Sequence, residues 1–174
     1  DHIIPKSGAF QAAANDGLDQ VNKGKIVTFG IDPKRAETGY GYLELDSEIK
    51  AGAIKLKAFV EKPNLSTAKK MIDSGNYLWN AGIFLFRAKD MIDTFRAYAP
   101  ETLDLVLRSV NNASTDLGFL RLDTEPWSML DDISIDYAIM EKAKNLVVVP
   151  YNSKWSDLGG WDAVWSEGNP DPAG

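Results

Sequence analysis

Cysteine is absent from this sequence of 174 residues, and histidine occurs once, as His2. The absence of cysteine excludes disulfides and thiolate metal sites, and a single histidine excludes a metal site built from several imidazoles. With no cysteine, and with the one histidine at the start of the chain, a hydrolase that uses a triad of Ser, His and Asp is not expected. Candidate functional residues must therefore be sought among isolated carboxylates, lysines and amides.

Basic residues are fewer than acidic ones: the sequence has 19 lysines and arginines and 25 aspartates and glutamates, which gives a net charge of −6. This balance argues against general binding to nucleic acid or to an anionic membrane, but it does not exclude a local basic pocket for a phosphate. No apolar run approaches the ~20 residues of a membrane span and no signal peptide is visible, so the expected location is the cytoplasm. Neither of the glycine-rich loops typical of P-loop or dinucleotide-binding proteins occurs.

The order of apolar patterns predicts an α/β domain, because strand-like segments alternate with helix-like ones along most of the chain. We expect a mixed, mostly parallel sheet with flanking helices. The strands at 40–45 and 54–61 follow each other without a helix and are expected to form an antiparallel pair. Residues 1–167 are assigned to this domain, and the glycine- and proline-rich residues 168–174 to a linker or tail. Because the chain opens on what resembles the exit of a buried strand, it is interpreted as a piece of a longer protein.

The segment 59–87 organises the rest, since a strand there ends on a glutamate, a lysine and a proline. Apolar side chains alternate along residues 54–60, and by that alternation Lys62 falls on the apolar face at the end of the strand. Pro63 is expected to hold Lys62 in an extended conformation. A lysine in that position is costly unless it has a partner or opens onto a cavity. An anionic ligand would be such a partner, and a solvated ion pair with Glu61 is the alternative.

Other polar residues also stand at predicted strand ends: Asp1, Asn80 and Asp157. In open α/β sheets ligands bind at the carboxyl ends of the strands, so these residues are expected to line one polar pocket. Two carboxylates from different strands suit Mg²⁺, which takes oxygen ligands and is often shared with phosphates, and Asp1 with Asp157 is the pair we select. A turn or capping role explains an aspartate before glycines as well.

Four ordered motifs carry a family resemblance: Phe59-Val60-Glu61-Lys62-Pro63, Trp79-Asn80-Ala81-Gly82-Ile83-Phe84, Ser134-Ile135-Asp136-Tyr137-Ala138-Ile139-Met140-Glu141 and Trp155-Ser156-Asp157-Leu158-Gly159-Gly160-Trp161. Together they resemble the sugar-nucleotide pyrophosphorylases, specifically the bacterial branch that forms GDP-mannose. The resemblance implies a partial Rossmann-like nucleotidyltransferase fold. It also implies a reaction of GTP with mannose 1-phosphate that gives GDP-mannose and pyrophosphate, with Mg²⁺ as cofactor.

Roles for individual residues follow from the resemblance alone. It implies that Asp1 and Asp157 bind the metal, and that Asp157 and Lys62 act on the sugar phosphate. The residues implied to contact the substrate are Glu61, Lys62, Asn80, Gly82, Tyr40 and Gly41. Turn chemistry explains the glycines around Tyr40 about equally well. Asp136 and Tyr137 belong to a motif typical of the bacterial branch, and an ordinary capped helix is the favoured interpretation of both.

The resemblance also places a glycine-rich loop with arginine and lysine before the position of Asp1, and this chain lacks it. We therefore expect the chain to hold the sugar 1-phosphate half of the site and to be inactive alone. The first strands of the sheet would be missing as well, so an exposed edge and a homo-oligomer are plausible. A nucleotidyltransferase for another sugar 1-phosphate and a non-catalytic module that binds a sugar phosphate are the alternatives.

Overall fold

Strands and helices alternate over most of the chain in a computed structural model that describes residues 2–168. The elements in chain order are α1 (Ser7–Asn22), β1 (Ile26–Ile31), β2 (Tyr42–Leu45), β3 (Ile54–Val60), α2 (Leu65–Ser74), β4 (Tyr77–Leu85), α3 (Ala88–Tyr98), α4 (Pro100–Asn111), β5 (Ser114–Asp116), β6 (Phe119–Arg121), α5 (Thr124–Ser128), a π-helical turn (Asp136–Met140), β7 (Leu146–Pro150) and α6 (Trp161–Glu167). The predicted tail at 168–174 lies, apart from Gly168, outside the described residues. No helix within residues 2–168 combines the length and apolar character needed to cross a bilayer.

Five strands form one closed sheet in the order β1-β4-β2-β3-β7, and β7 pairs back onto β1. The α/β class, the mixed sheet and the antiparallel pair β2–β3 are confirmed. The expectation that the sheet is mostly parallel is wrong, because among these strands only β1 and β7 pair in parallel. The unit β3-α2-β4 does bring two strands into the same direction, but β2 lies between them and pairs antiparallel with both. A crossover helix sets the direction of two strands and does not make them neighbours.

The core is divided between the two faces of this sheet. One cluster contains Phe29, Tyr42, Trp79 and Val149, and Ala13 and Val21 of α1 pack into it. The other contains Ile26, Leu43, Leu78 and Val148, and residues of the π-helical turn pack into that one. All six residues of β1 are buried, which agrees with a strand covered on both faces. Burial of each large apolar side chain contributes about 1.5–3 kcal/mol, so these faces hold the strand ends that form the site in place.

Two local conformations differ from the sequence-based expectations. Lys62 has a φ of 44°, so it turns into the left-handed region and is not extended. This conformation costs a residue with a side chain roughly 1–2 kcal/mol. Asn80, which was expected at the end of a strand, lies with Gly82 inside β4, although Gly82 has a φ of 69° and the pairing of β4 with β1 shifts register nearby. The strand is therefore continuous but locally irregular at this point.

Candidate active site

A cavity of about 180 Å³ lies at one end of the closed sheet, where several strands begin or end. Because β2 runs antiparallel to β3, the residues that precede β2 and those that follow β3 meet at this end of the sheet. All the predicted site residues that the structure describes line this cavity: Tyr40, Gly41, Glu61, Lys62, Asn80, Gly82 and Asp157. The other predicted metal ligand, Asp1, lies outside the described residues. His2, Asp136 and Trp155 also contribute to the wall, and the sequence-based reasoning assigned none of these three to the pocket.

Glu61 and Lys62 form an ion pair in the wall of the cavity, with Lys62 Nζ 3.1 Å from Glu61 Oε1. Glu61 is buried, with 9% of its surface exposed, whereas 54% of the Lys62 side chain is exposed. Burial raises the pKa of Glu61, although the hydrogen bond from Lys62 acts in the opposite direction. The same hydrogen bond raises the pKa of Lys62, so this side chain carries its positive charge at neutral pH. The pair therefore presents both an acceptor and an accessible ammonium group to a ligand.

Two neighbours hold Glu61 in place. Its backbone N–H donates a hydrogen bond of 2.8 Å to Glu141 Oε1, which comes from the segment that follows the π-helical turn. On the other side, a Cβ added to Gly41 would lie 2.7 Å from Glu61 Oε2 and 3.2 Å from the ring of Phe59. The Glu61 carboxylate thus packs directly on the backbone at Gly41, where a larger residue would fit only if that carboxylate moved. Sequence patterns indicated the glycine, but they did not indicate Glu141 as a support.

Asn80 is held from inside the sheet by Thr28. The fully buried Thr28 Oγ1 donates a hydrogen bond of 2.7 Å to Asn80 Oδ1, and the backbone N–H of Asn80 donates to the carbonyl of Gly41 at 2.8 Å. Since Oδ1 is used as an acceptor, the amide nitrogen is the group of Asn80 that is left to donate to a ligand. Thr28 was not predicted as part of the site. The available signal was a hydroxyl residue in the middle of an otherwise apolar strand.

Aromatic side chains fix the position of Asp157. Tyr40 donates a hydrogen bond of 2.8 Å from its hydroxyl to Asp157 Oδ1, and its ring packs edge-on against Trp79 and Trp155 at centroid distances of 5.2 and 5.5 Å. Burial raises the pKa of Tyr40, and Asp157 raises it further, so the hydroxyl stays protonated and keeps donating. Trp155 in turn donates to His2 Nδ1 at 3.1 Å. Backbone hydrogen bonds between Ile3 and Ser156 place the start of the described chain beside this segment.

The charges of the cavity favour a cation together with an anionic ligand. Among residues 2–168, three carboxylates line it, from Glu61, Asp136 and Asp157, against the single ammonium group of Lys62. A phosphate that enters this lining meets more negative than positive charge, so binding would profit from a metal ion. Within residues 2–168 there is no group of three or more acidic, histidine or cysteine side chains that could hold one. The donor set still fits Mg²⁺, which commonly takes one or two carboxylates and completes its shell with phosphate oxygens and water. Asp157 is the described residue that would supply such a carboxylate.

The Ser134–Glu141 motif is divided between the cavity and the surface. Asp136 lines the cavity, while Tyr137 is 42% exposed and does not line it. The expectation of an ordinary capped helix for this pair is wrong, because the segment Asp136–Met140 is a single π-helical turn. Such turns often occur at functional sites.

Known proteins resemble this chain in sequence and in fold. The profile of the family described as Nucleotidyl transferase matches residues 1–172. The chain is 42% identical over 170 residues to the mannose-1-phosphate guanylyltransferase of Escherichia coli (strain K12), which covers 95% of this chain and 35% of that protein. Among solved structures, the mannose-1-phosphate geranyltransferase of Thermus thermophilus has a TM-score of 0.80 at 33% identity, over 99% of this chain and 48% of that one. The mannose-6-phosphate isomerase of Helicobacter pylori has a TM-score of 0.82 at 32% identity, over 90% of this chain and 62% of that one.

The chain belongs to the nucleotidyl transferase family, since the family profile covers nearly all of it. The resemblance read from the four sequence motifs and the nucleotidyltransferase fold are both confirmed. The chain spans about a third of the length of the curated relatives it matches, with 35% of the E. coli protein covered.

Proposed function

We propose that the protein to which this chain belongs transfers GMP from GTP to mannose 1-phosphate, and that this chain holds the sugar 1-phosphate. The observation that carries the proposal is the convergence of Glu61, Lys62, Asn80 and Asp157 on one cavity in a member of this family. These groups provide acceptors and donors for sugar hydroxyls, a positive charge for a phosphate, and a carboxylate for a metal. The guanylyltransferase name of the relatives supplies the choice of sugar and nucleotide.

In this reaction an oxygen of the sugar phosphate attacks the α-phosphorus of GTP. A new P–O bond forms, the bond between the α-phosphorus and the bridging oxygen breaks, and pyrophosphate leaves with that electron pair. Such transfers need in-line placement and charge neutralisation more than covalent help. Lys62 would offset the charge of the sugar phosphate, while Glu61 and Asn80 hold the ring so that the phosphate points towards the nucleotide. Tyr40 keeps the carboxylate of Asp157 facing the phosphate. Mg²⁺, if bound there, would supply further neutralisation of phosphate charge.

The size of the cavity supports a sugar phosphate as its ligand rather than a nucleotide. Its volume of about 180 Å³ is below the roughly 300–1,000 Å³ typical of pockets for drug-sized ligands. A hexose phosphate is smaller than such ligands, whereas a nucleoside triphosphate or a complete sugar nucleotide is larger. The excess of carboxylates in the lining also disfavours a triphosphate. The nucleotide is therefore proposed to bind outside this cavity.

Calorimetric titration of the 174-residue chain tests this function. We expect saturable binding of mannose 1-phosphate that is tighter with Mg²⁺, and we expect Asp157→Ala to abolish the effect of Mg²⁺. Asp162→Asn, in α6, is a matched control on a nearby exposed carboxylate and should leave both results unchanged. Glucose 1-phosphate as a second probe tests the choice of sugar. Binding that ignores both Mg²⁺ and Asp157 would favour a plain sugar-phosphate module, and no binding of mannose 1-phosphate would refute the proposed function.

An activity assay completes the test. We expect no GDP-mannose from this chain with GTP, mannose 1-phosphate and Mg²⁺, because the family loop that the resemblance assigns to the triphosphate is not part of it. Chromatographic detection of GDP-mannose would overturn that expectation, while it would support the assigned reaction.

A further inference from the structure

Asp136 is held rigidly at the wall of the sugar-phosphate cavity. It begins the π-helical turn whose next buried residues, Ala138, Ile139 and Met140, are at most 5% exposed and pack into the core. The turn therefore has little freedom to move away from the cavity. A side chain carried by such a support is placed with the accuracy that recognition of a small ligand requires.

One oxygen of the Asp136 carboxylate lacks a hydrogen-bond partner in this position. This oxygen, Oδ1, is withdrawn from solvent and has no hydrogen-bond partner among the described residues. Among residues 2–168, Asp136 forms no ion pair within 4 Å of a basic side chain. Lys62 is nevertheless near enough to act on the pKa of Asp136, which it lowers. Burial raises the pKa of Asp136, which reflects an incompletely compensated negative charge. Burial of an incompletely compensated carboxylate is costly, and a hydroxyl that donates to the part of Asp136 that lines the cavity would lower that cost, although Oδ1 itself is out of reach of a ligand in this conformation.

The arrangement of charges determines which end of a ligand can face Asp136. A phosphate dianion is repelled by this carboxylate and is attracted by the ammonium group of Lys62. Hydroxyl groups, in contrast, donate hydrogen bonds to carboxylates, and such charge-assisted bonds are stronger than neutral ones. With Glu61 also in the wall, two carboxylates are available for a polyhydroxylated ring.

We propose that Asp136 binds a ring hydroxyl of the sugar 1-phosphate and orients the ring so that its phosphate faces Lys62. The inference rests on the proposed function, since it assigns a further binding residue to the same cavity. Asp136 acts on the polyol end of the ligand, so its contribution to binding depends on the sugar and not on the phosphate.

Two probes and a matched pair of substitutions test the inference. Dissociation constants for mannose 1-phosphate and for inorganic phosphate are measured by calorimetry for the unmodified chain, Asp136→Asn and the exposed control Asp132→Asn. Asp136→Asn keeps an acceptor oxygen but loses the charge of the carboxylate, and the exchange of a charge-assisted hydrogen bond for a neutral one is expected to weaken binding of mannose 1-phosphate roughly 5- to 10-fold. Affinity for inorganic phosphate should stay equal or increase, because a repulsive charge is removed. Asp132→Asn should change neither constant.

If Asp136→Asn weakened the binding of mannose 1-phosphate and of inorganic phosphate equally, the effect would be a general structural one and the inference would be overturned. Unchanged binding of mannose 1-phosphate by Asp136→Asn would also overturn it. If Asp136→Asn does not unfold cooperatively, Asp136→Ser replaces it in the experiment, and the same results are expected. If the unmodified chain binds no mannose 1-phosphate, the proposed function fails together with this inference. If it binds mannose 1-phosphate and Asp136→Asn binds equally well, only the inference fails.

Discussion

Thr28→Val tests how the sheet positions Asn80. The substitution keeps the shape of a fully buried side chain and removes the hydroxyl that donates to Asn80 Oδ1 at 2.7 Å. Asn80 is itself only 8% exposed, so its oxygen would lose its donor in a place that water reaches poorly. A buried acceptor left without a partner costs about 1–3 kcal/mol, and we expect the free energy of unfolding to fall by that amount. Urea unfolding followed by tryptophan fluorescence measures the change.

The same substitution should weaken ligand binding. Without the bond from Thr28, the amide of Asn80 can rotate and no longer presents its nitrogen to the cavity in one orientation. Loss of a neutral hydrogen bond of about 0.5–1.5 kcal/mol corresponds to a roughly 2- to 10-fold higher dissociation constant for mannose 1-phosphate. Calorimetry on the chain measures this constant directly.

Thr94→Val in α3 is the matched control. Thr94 is also buried, at 6% exposure, and its hydroxyl donates at 2.7 Å to the carbonyl of Asp90. That carbonyl is inside a helix and retains its backbone donor, so this variant should lose less stability than Thr28→Val and should bind mannose 1-phosphate normally. If Thr28→Val also bound normally, or lost no more stability than the control, the claim that Thr28 orients Asn80 would be refuted.

Three further substitutions test other contacts of the cavity. Gly41→Ala should displace the Glu61 carboxylate, because a Cβ would lie 2.7 Å from its Oε2. Calorimetry should then show binding of mannose 1-phosphate weakened at least several-fold. Gly8→Ala is the control and should leave binding unchanged, because a Cβ at Gly8 would meet nothing within 4 Å. Glu141→Ala should lower the free energy of unfolding by about 0.5–1.5 kcal/mol because it removes the acceptor of the Glu61 N–H, whereas Glu141→Gln keeps an acceptor oxygen and should restore most of the loss. Equal losses in urea unfolding would contradict that role. The raised pKa of Asp136 means that the folded state binds its proton more readily than the unfolded state, whose pKa is near 3.8, so this group's contribution to stability falls as the pH rises through the interval above 3.8. The unfolding free energy of Asp136→Asn minus that of the unmodified chain, measured from about pH 4 to 7, should therefore increase as the pH rises, and a decrease in this difference would show that the sign is wrong.

Most of the cavity could be predicted from the sequence. The alternation of apolar residues predicted the limits of β3 almost correctly. A strand that ends before a proline also puts Glu61 and Lys62 at one end of the sheet. The chain order of four motifs then indicated that Asn80 and Asp157 would join them. The limits of β3 follow from local periodicity, whereas the four motifs assigned residues to the cavity through the family resemblance.

The arrangement of the strands depended on the tertiary structure. The insertion of β2 between β3 and β4 joins segments that are far apart in the chain, and no local pattern distinguishes this order from a parallel one. The left-handed turn at Lys62 likewise runs against the local preference of a residue before proline. The fold determines both, because pairing and packing across the sheet outweigh what neighbouring residues prefer.

The supporting residues show the same division. The sequence alone determined which acidic, basic and amide groups this protein can bring to a ligand, because the side chain of each residue carries its own chemistry. Only the tertiary structure decided that Thr28 and Glu141 hold two of those groups, and that Asp136 lines the cavity while Tyr137 next to it does not. Contacts between residues 52 and 80 positions apart arise from register and packing, which the chain acquires only when it folds.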